Sequence, residues 1–197
     1  MLKRCFDLLA SVAGLIVLAP LIAVVALTVR ARMGRPVLFA QSRPGQGGRL
    51  FTVYKFRTMR VPGDELEEED ERSAAMTSDD DDRITRVGRF LRNSRLDEVP
   101  QVINILLWQM SWIGPRPEAH LLSGWYTDEI PFYRYRHVVK PGISGWAQVN
   151  QGHVAEVEEV HRKLQYDFYY IKYFSPWLDL LILLRTIKTM LTGWGAR

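Results

Sequence analysis

The hydrophobic pattern divides the chain first at its start. Residues 8–29 run for 22 positions without a charge. Such a run spans a bilayer, at roughly 33 Å if straight. It is too long for the apolar core of a signal peptide, and basic residues follow it where a cleavage site would stand. Pro20 lies near its middle, where it removes a helix hydrogen bond. Lys3 and Arg4 precede the run, and Arg30, Arg32 and Arg35 follow it. Basic residues on both flanks draw both ends to the cytoplasmic side. Two arrangements meet these facts. One is a kinked transmembrane helix. The other is a helix that enters, breaks at Pro20 and returns, each arm roughly 15 Å long.

Residues 36–41 and 50–59 read as short strands. The turn-rich string Arg43-Pro44-Gly45-Gln46-Gly47-Gly48 between them predicts a hairpin. Lys55 and Arg57 share one face of the second strand by the period of two. Residues 83–95 predict a basic helix. From Val99, the apolar positions Val102, Ile103, Leu106, Leu107, Met110 and Ile113 mark one helix face. Residues 118–136 interleave aromatic and basic side chains, and beside an apolar anchor they suit a membrane interface better than nucleic acid. Residues 137–150 hold too much Pro and Gly for a plain strand and read as strand and turn supporting a site. Residues 154–174 predict a helix with Lys163 and Asp167 one turn apart. Ser175 is placed to cap a last helix with Pro176 as its first residue. The helix is apolar over 177–184 and carries Arg185 and Lys188 beyond. It suits an interfacial position, with a buried core helix as the competing reading.

Composition adds limits. The chain has 197 residues, a net charge of +4 and one cysteine. That is enough for one domain with a sizeable core. Cys5 excludes an intrachain disulfide framework and reads as a small apolar filler. The four histidines show no metal-ligand spacing, and His153 and His161 read as surface residues. Residues 63–82 are acid-rich with little apolar content and predict a mobile loop. Its run Asp79-Asp80-Asp81-Asp82 lacks the turn residues that would shape a cation cage, so no metal site is expected there.

The candidate chemistry sits at Leu96-Asp97-Glu98-Val99-Pro100-Gln101. With Asp97 as a helix N-cap, Pro100 falls at N3, where a missing N–H costs no hydrogen bond. The helix dipole then favours both ionised acids. Arg89, Arg92 and Arg95 precede the pair, and Gly114-Pro115-Arg116-Pro117 follows it. Acids among arginines suit metal and phosphate chemistry. A helix cap with a surface ion pair accounts for the same residues.

Several further strings complete a pattern. They are Lys3-Arg4-Cys5-Phe6-Asp7, Lys55-Phe56-Arg57-Thr58-Met59, Met110-Ser111-Trp112-Ile113-Gly114-Pro115-Arg116-Pro117 and Lys140-Pro141-Gly142-Ile143-Ser144-Gly145-Trp146-Ala147-Gln148-Val149-Asn150. With the apolar run and the acid pair, in this order, the chain resembles the bacterial sugar transferase family. These are monotopic phosphoglycosyl transferases acting on a polyprenol carrier, and the chain looks like their minimal catalytic form.

The resemblance implies an α+β, membrane-embedded fold. An N-terminal re-entrant hairpin (1–35) would break at Ala19 and Pro20, and a catalytic unit (36–197) would carry interfacial helices and a small β-hairpin. It implies residence in the bacterial inner membrane with the site at the cytoplasmic face. The implied reaction moves a sugar 1-phosphate from a UDP-sugar to undecaprenyl phosphate with release of UMP, starting exopolysaccharide, O-antigen or glycoprotein glycan assembly. Mg²⁺ is the implied cofactor and a homodimer an implied option; nucleic acid is no partner. By the matching motif Asp97 would be nucleophile and metal ligand, with Glu98 its acid partner. Lys55, Arg57, Arg92, Arg116, Pro117 and Gln148 are the substrate-binding candidates. Two departures stand out. The family often has Ser where this chain has Ala19, and many members continue Gly-Arg after the residue matching Asn150, where this chain has Gln151-Gly152-His153. A bitopic enzyme and a non-catalytic membrane-bound interaction module are the alternatives.

Overall fold

The structure is a computed structural model describing residues 2–60, 81–151 and 157–192. The expected loop at 63–82 therefore lies largely outside the described residues, as does His153.

Helix α1 (Leu2–Met33) is one helix that carries Pro20 inside it. Of the two arrangements the sequence left open, the one that breaks at Ala19 and Pro20 is not seen as a division of the helix. Proline removes one ladder hydrogen bond, and the strong helix formers around it hold the rest. Among its apolar window only 11% is buried against the protein, which separates α1 from the core helix of a soluble domain. Val12, Ile16, Val17, Val24 and Leu27 are exposed, as is Cys5, which fills no core position.

The two ends of α1 are held by the same body. Near the N-terminus the Asp7 carboxylate accepts from Ser111 Oγ at 2.8 Å and from the Trp112 N–H at 3.3 Å. The Trp112 indole donates to Ser11 Oγ at 3.1 Å, and Lys3 reaches Asp179 at 2.6 Å. Near the C-terminus Val25 and Val29 pack with Phe56 and Leu91. Gly34, with φ +75°, closes the helix by donating to the Arg30 carbonyl at 3.0 Å. Glycine adopts this left-handed conformation without steric cost.

Strands β1 (Leu38–Pro44) and β2 (Leu50–Phe56) form the expected antiparallel hairpin, in register from Leu38 opposite Phe56 to Pro44 opposite Leu50. Phe51 and Val53 point inward against Ile105 and Met110. Lys55 lies two residues further on the same face. Helix α2 (Arg86–Asn93) is capped by Thr85, whose hydroxyl accepts from the Gly88 N–H at 2.9 Å.

A 3-10 turn, Leu96–Gln101, leads into a short helix α3 (Val102–Leu106). The single helix expected through Ile113 does not form: Trp108 turns left-handed at φ 68°, and Ser111–Ile113 is strand β3. The reason is tertiary. The Arg4 guanidinium donates to the carbonyls of Ile105 (2.6 Å) and Leu106 (3.3 Å), satisfying the helix end from outside. Buried Asn104 donates to the Thr52 carbonyl at 2.6 Å and ties α3 to the hairpin.

Strand β3 pairs in parallel with β4 (Gly142–Ser144). Between them run α4 (His120–Glu129) and a 3-10 segment, Tyr133–Val138. Helix α5 (Trp146–Gln151), α6 (Val157–Lys172) and α7 (Pro176–Thr192) complete the described residues. Ser175 caps α7 as expected, its hydroxyl accepting from the Leu178 N–H at 3.2 Å. One stripe of α7 buries Leu178 and Ile182, while Trp177, Leu184 and Ile187 are exposed. Both readings of this helix thus hold for part of its surface. The aromatic stretch divides too: Tyr126 and Tyr133 are core residues with Ile130, Val160 and Leu164, whereas Phe132 and Tyr135 are exposed.

Candidate active site

The acid pair sits on a sharp reversal. Ser94 ends α2, and Arg95 takes a left-handed conformation (φ 57°, ψ 14°) before the 3-10 turn begins. Asp97 is therefore not an N-cap; it lies inside the turn with Glu98, and both acids are buried.

Burial splits the pair. Glu98 Oε1 accepts from Lys55 Nζ at 2.9 Å and from Arg116, and Oε2 accepts from Arg116 at 3.3 Å. Burial alone would raise the Glu98 carboxyl, yet Arg116 and Lys55 outweigh it and hold it well below the usual range. Asp97 is raised, first by burial and then by the neighbouring Glu98 charge. The expectation that a dipole would favour both ionised acids is corrected here: burial dominates at Asp97, and direct ion pairs dominate at Glu98. Asp97 Oδ1 is buried without a hydrogen-bond partner. Lys55 itself is lowered to about 8, mainly by burial, against the pull of Glu98. Two adjacent acids with opposed shifts mark a functional site more often than a structural one.

Arg116 is delivered by a loop whose backbone is clamped. Gly114 N–H donates to the Ser144 carbonyl at 2.9 Å, and Gly142 N–H donates to the Pro115 carbonyl at 3.0 Å. A Cβ on Gly142 would lie 2.1 Å from the Gly114 nitrogen, so only glycine permits this approach. Behind the loop, Arg136 donates to the Arg116 carbonyl at 2.8 Å and pairs with Asp167 at 2.7 Å. Lys163 pairs with Glu118. Burial would raise Glu118, but Lys163 and Arg136 depress it far below the carboxylate range. Arg43 donates to the Pro117 carbonyl and to Gln41 Oε1, and burial foremost lowers it to about 10.

The structure brings Lys55, Asp97, Glu98 and Arg116 together. Pro117 joins them through its carbonyl on Arg43. Arg57 is held elsewhere: its guanidinium donates to the Met33 carbonyl and to the Arg35 carbonyl at 3.0 Å, at the end of α1. Arg92 stands in the last turn of α2, and its charge adds only a little to the Arg83 hydrogen bond that chiefly lowers Asp81. Gln148 Nε2 donates to the Ile143 carbonyl at 3.0 Å, leaving its Oε1 buried and unpartnered. Asp81 of the acidic run pairs with Arg83 at 2.5 Å.

Arg43, Glu118, Arg136, Lys163 and Asp167 were not singled out as site residues from the sequence. Lys163 and Asp167 carried a signal, their spacing of four, but each bonds outward and not to the other. Among the described residues no three His, Cys, Asp or Glu side chains gather as a metal cage. The unpartnered Asp97 oxygen fits a different arrangement, a Mg²⁺ held by one carboxylate with water and substrate phosphates.

A family model described as bacterial sugar transferase matches residues 1–193. The chain belongs to this family. A UDP-N-acetylgalactosamine-undecaprenyl-phosphate N-acetylgalactosaminephosphotransferase from Aeromonas hydrophila is 46% identical, covering 100% of this chain and 45% of the relative. A UDP-glucose:undecaprenyl-phosphate glucose-1-phosphate transferase from Escherichia coli (strain K12) is 38% identical, covering 95% of this chain and 39% of the relative. The chain spans less than half the length of these two relatives. An exopolysaccharide production protein, PSS, from Rhizobium leguminosarum bv. phaseoli is 38% identical, covering 97% of this chain and 96% of the relative. The family's members named here are sugar phosphotransferases acting on undecaprenyl phosphate or proteins of exopolysaccharide production.

Proposed function

We propose that this protein transfers a sugar 1-phosphate from a UDP-sugar to undecaprenyl phosphate, releasing UMP, through a covalent intermediate on Asp97. The observation that carries the reading is the split acid pair: a Glu98 fixed between Lys55 and Arg116, beside an Asp97 with an unpartnered buried oxygen. The activities named for the relatives support the reaction class, and they leave the sugar open between hexose and N-acetylhexosamine.

In the first step an Asp97 oxygen attacks the sugar-bearing phosphorus. A P–O bond to Asp97 forms, the diphosphate bridge breaks, and UMP leaves with the bridging electron pair. In the second step a phosphate oxygen of the lipid attacks the same phosphorus and frees the Asp97 carboxylate. A covalent step divides one difficult transfer into two. Arg116 presents a planar fork suited to phosphate oxygens, and Lys55 a point charge beside it. Glu98 holds both cations in place. A Mg²⁺ on Asp97 would supply charge neutralisation of the diphosphate when bound. Burial of the acids keeps water from competing for the intermediate.

The placement of α1 supports a monotopic arrangement. A crossing helix separates its ends onto opposite faces of the bilayer, whereas one body holds both Asp7 and Val29. We therefore place both ends of the undivided helix α1 on the cytoplasmic side of the inner membrane, with 36–197 as one catalytic unit. The test is a panel of UDP-sugars incubated with undecaprenyl phosphate and Mg²⁺. One donor should give UMP and a lipid-linked sugar; no UMP with any donor would leave only an interaction module.

A further inference from the structure

A cleft of about 870 Å³ opens where α1 ends. Among the described residues five arginines line it: Arg32, Arg35, Arg57, Arg60 and Arg86. No carboxylate is among those lining residues. Like charges gathered around one cavity repel each other unless an anion lies between them. Thr85, Arg86 and Val87 bring the N-terminus of α2 to the same cavity, and its dipole also favours an anion. At the opposing end of α1 the Met33 carbonyl, and the Arg35 carbonyl just past the helix, already accept from Arg57. Arg57 is 7% exposed, and its Nε is buried with no hydrogen-bond partner.

The rest of the wall is mixed, with Thr28 and Thr85 beside apolar side chains. Met33, Met59 and Val87 line it. Leu27 is exposed on α1 just before it, and Leu38 and Phe39 are exposed on β1 just after. A ligand with an anionic head and an apolar body fits such a boundary. The volume exceeds that of a lone phosphate.

We propose that this cleft seats the phosphate of an anionic phospholipid and so anchors the C-terminal end of α1 at the membrane surface. This rests on the membrane placement of α1 and not on the chemistry proposed for Asp97. The lining excludes Lys55, Asp97, Glu98 and Arg116, so a phosphate held here is not presented to the acid pair. That separates the cleft from an acceptor site.

The test uses the full chain in phosphatidylcholine nanodiscs with and without phosphatidylglycerol. Lipid retained by the protein is read by native mass spectrometry, and stability by thermal melting. Arg60 and Arg86 are exposed, so Arg60→Gln with Arg86→Gln leaves the core intact. The wild type should retain phosphatidylglycerol over phosphatidylcholine and melt higher with it. The double variant should weaken that retention roughly tenfold. Arg60→Lys with Arg86→Lys should keep most of it, and Arg32→Gln alone should lower it less. Equal retention of both lipids, or full retention by the Gln pair, would overturn the proposal. Displacement of phosphatidylglycerol by equimolar undecaprenyl phosphate or by inorganic phosphate would overturn the choice of occupant. UMP release on the same samples tests the transferase reading separately, since lipid retention needs no turnover.

Discussion

Arg136 donates to the backbone carbonyl of Arg116 at 2.8 Å while its guanidinium is paired with Asp167 at 2.7 Å. A buried ion pair between the 3-10 segment Tyr133–Val138 and α6 is thereby connected to the loop that presents Arg116 to Glu98. Tyr133 OH accepts from the same guanidinium at 2.9 Å, so Arg136 is fixed in one position.

Asp167→Asn should therefore be costly. It removes the main counter-charge of a guanidinium that is 3% exposed, and Glu118 at 3.9 Å compensates only in part. Breaking a buried pair on one side typically costs about 3 kcal/mol or more. Equilibrium unfolding in detergent should show a loss of that size, with turnover reduced through a displaced Arg116. A loss under 1 kcal/mol would mean that Arg136 finds water or another partner.

Gly142→Ala should disrupt the β3–β4 contact. The added Cβ would meet the Gly114 nitrogen at 2.1 Å, and backbone cannot yield as a side chain does. The Pro115-Arg116 backbone must then shift. The expected result is lower thermal stability and a larger fall in kcat than in donor binding. Wild-type stability would show that the two strands can part without consequence.

The topology of α1 has a direct test. Single cysteines near Lys3 and near Arg35, in a Cys5→Ser background, should both be shielded from an impermeant thiol reagent added outside intact cells. Labelling at the Lys3 side alone would establish a crossing helix. Pro20→Leu should shift the chain toward that crossing form, because the straight run is long enough to span.

His137 should shape the acid limb of stability. Burial, with the Arg136 charge, lowers it to about 4 from an ordinary 6.5. Between those values the unfolded chain binds more protons than the folded one, so stability falls as pH drops from 6.5 toward 4. Glu98 and Glu118 also sit below their ordinary value of 4.5, so their contribution is lost mainly at and below that pH. His137→Gln should flatten the stability profile between about pH 6.5 and 5 and leave the steeper fall below it. An unchanged slope in that window would contradict the assignment.

The parts of the fold that local rules govern were legible in the sequence. The hairpin followed from alternation and a Gly-rich turn, and α7 from Ser175 and Pro176. The end of α3 was not, because Arg4, a hundred residues earlier, caps it. Asp97 and Glu98 were legible as a pair, but not their opposed ionisation, which depends on Lys55 and Arg116 arriving from other elements. Arg57 looked equivalent to Lys55 by periodicity, yet the end of α1 claims its donors. The Arg136–Asp167 link joins two helical segments and leaves no mark in either alone.

The central claim is that Asp97 forms the covalent bond. Asn at this position keeps the size but removes the charge and the attacking oxygen. Asp97→Asn should fold, insert and lose turnover by several orders of magnitude, since a missing nucleophile is not replaced by a neighbour held in another direction. Glu98 cannot substitute while Lys55 and Arg116 hold both its oxygens. The most direct measurement is a single-turnover reaction of wild type with its UDP-sugar and no acceptor, quenched rapidly, digested and read by mass spectrometry. The prediction is up to one equivalent of UMP and a sugar phosphate on the peptide carrying Asp97. Transfer to lipid with no protein-bound sugar phosphate, together with substantial activity in Asp97→Asn, would contradict it.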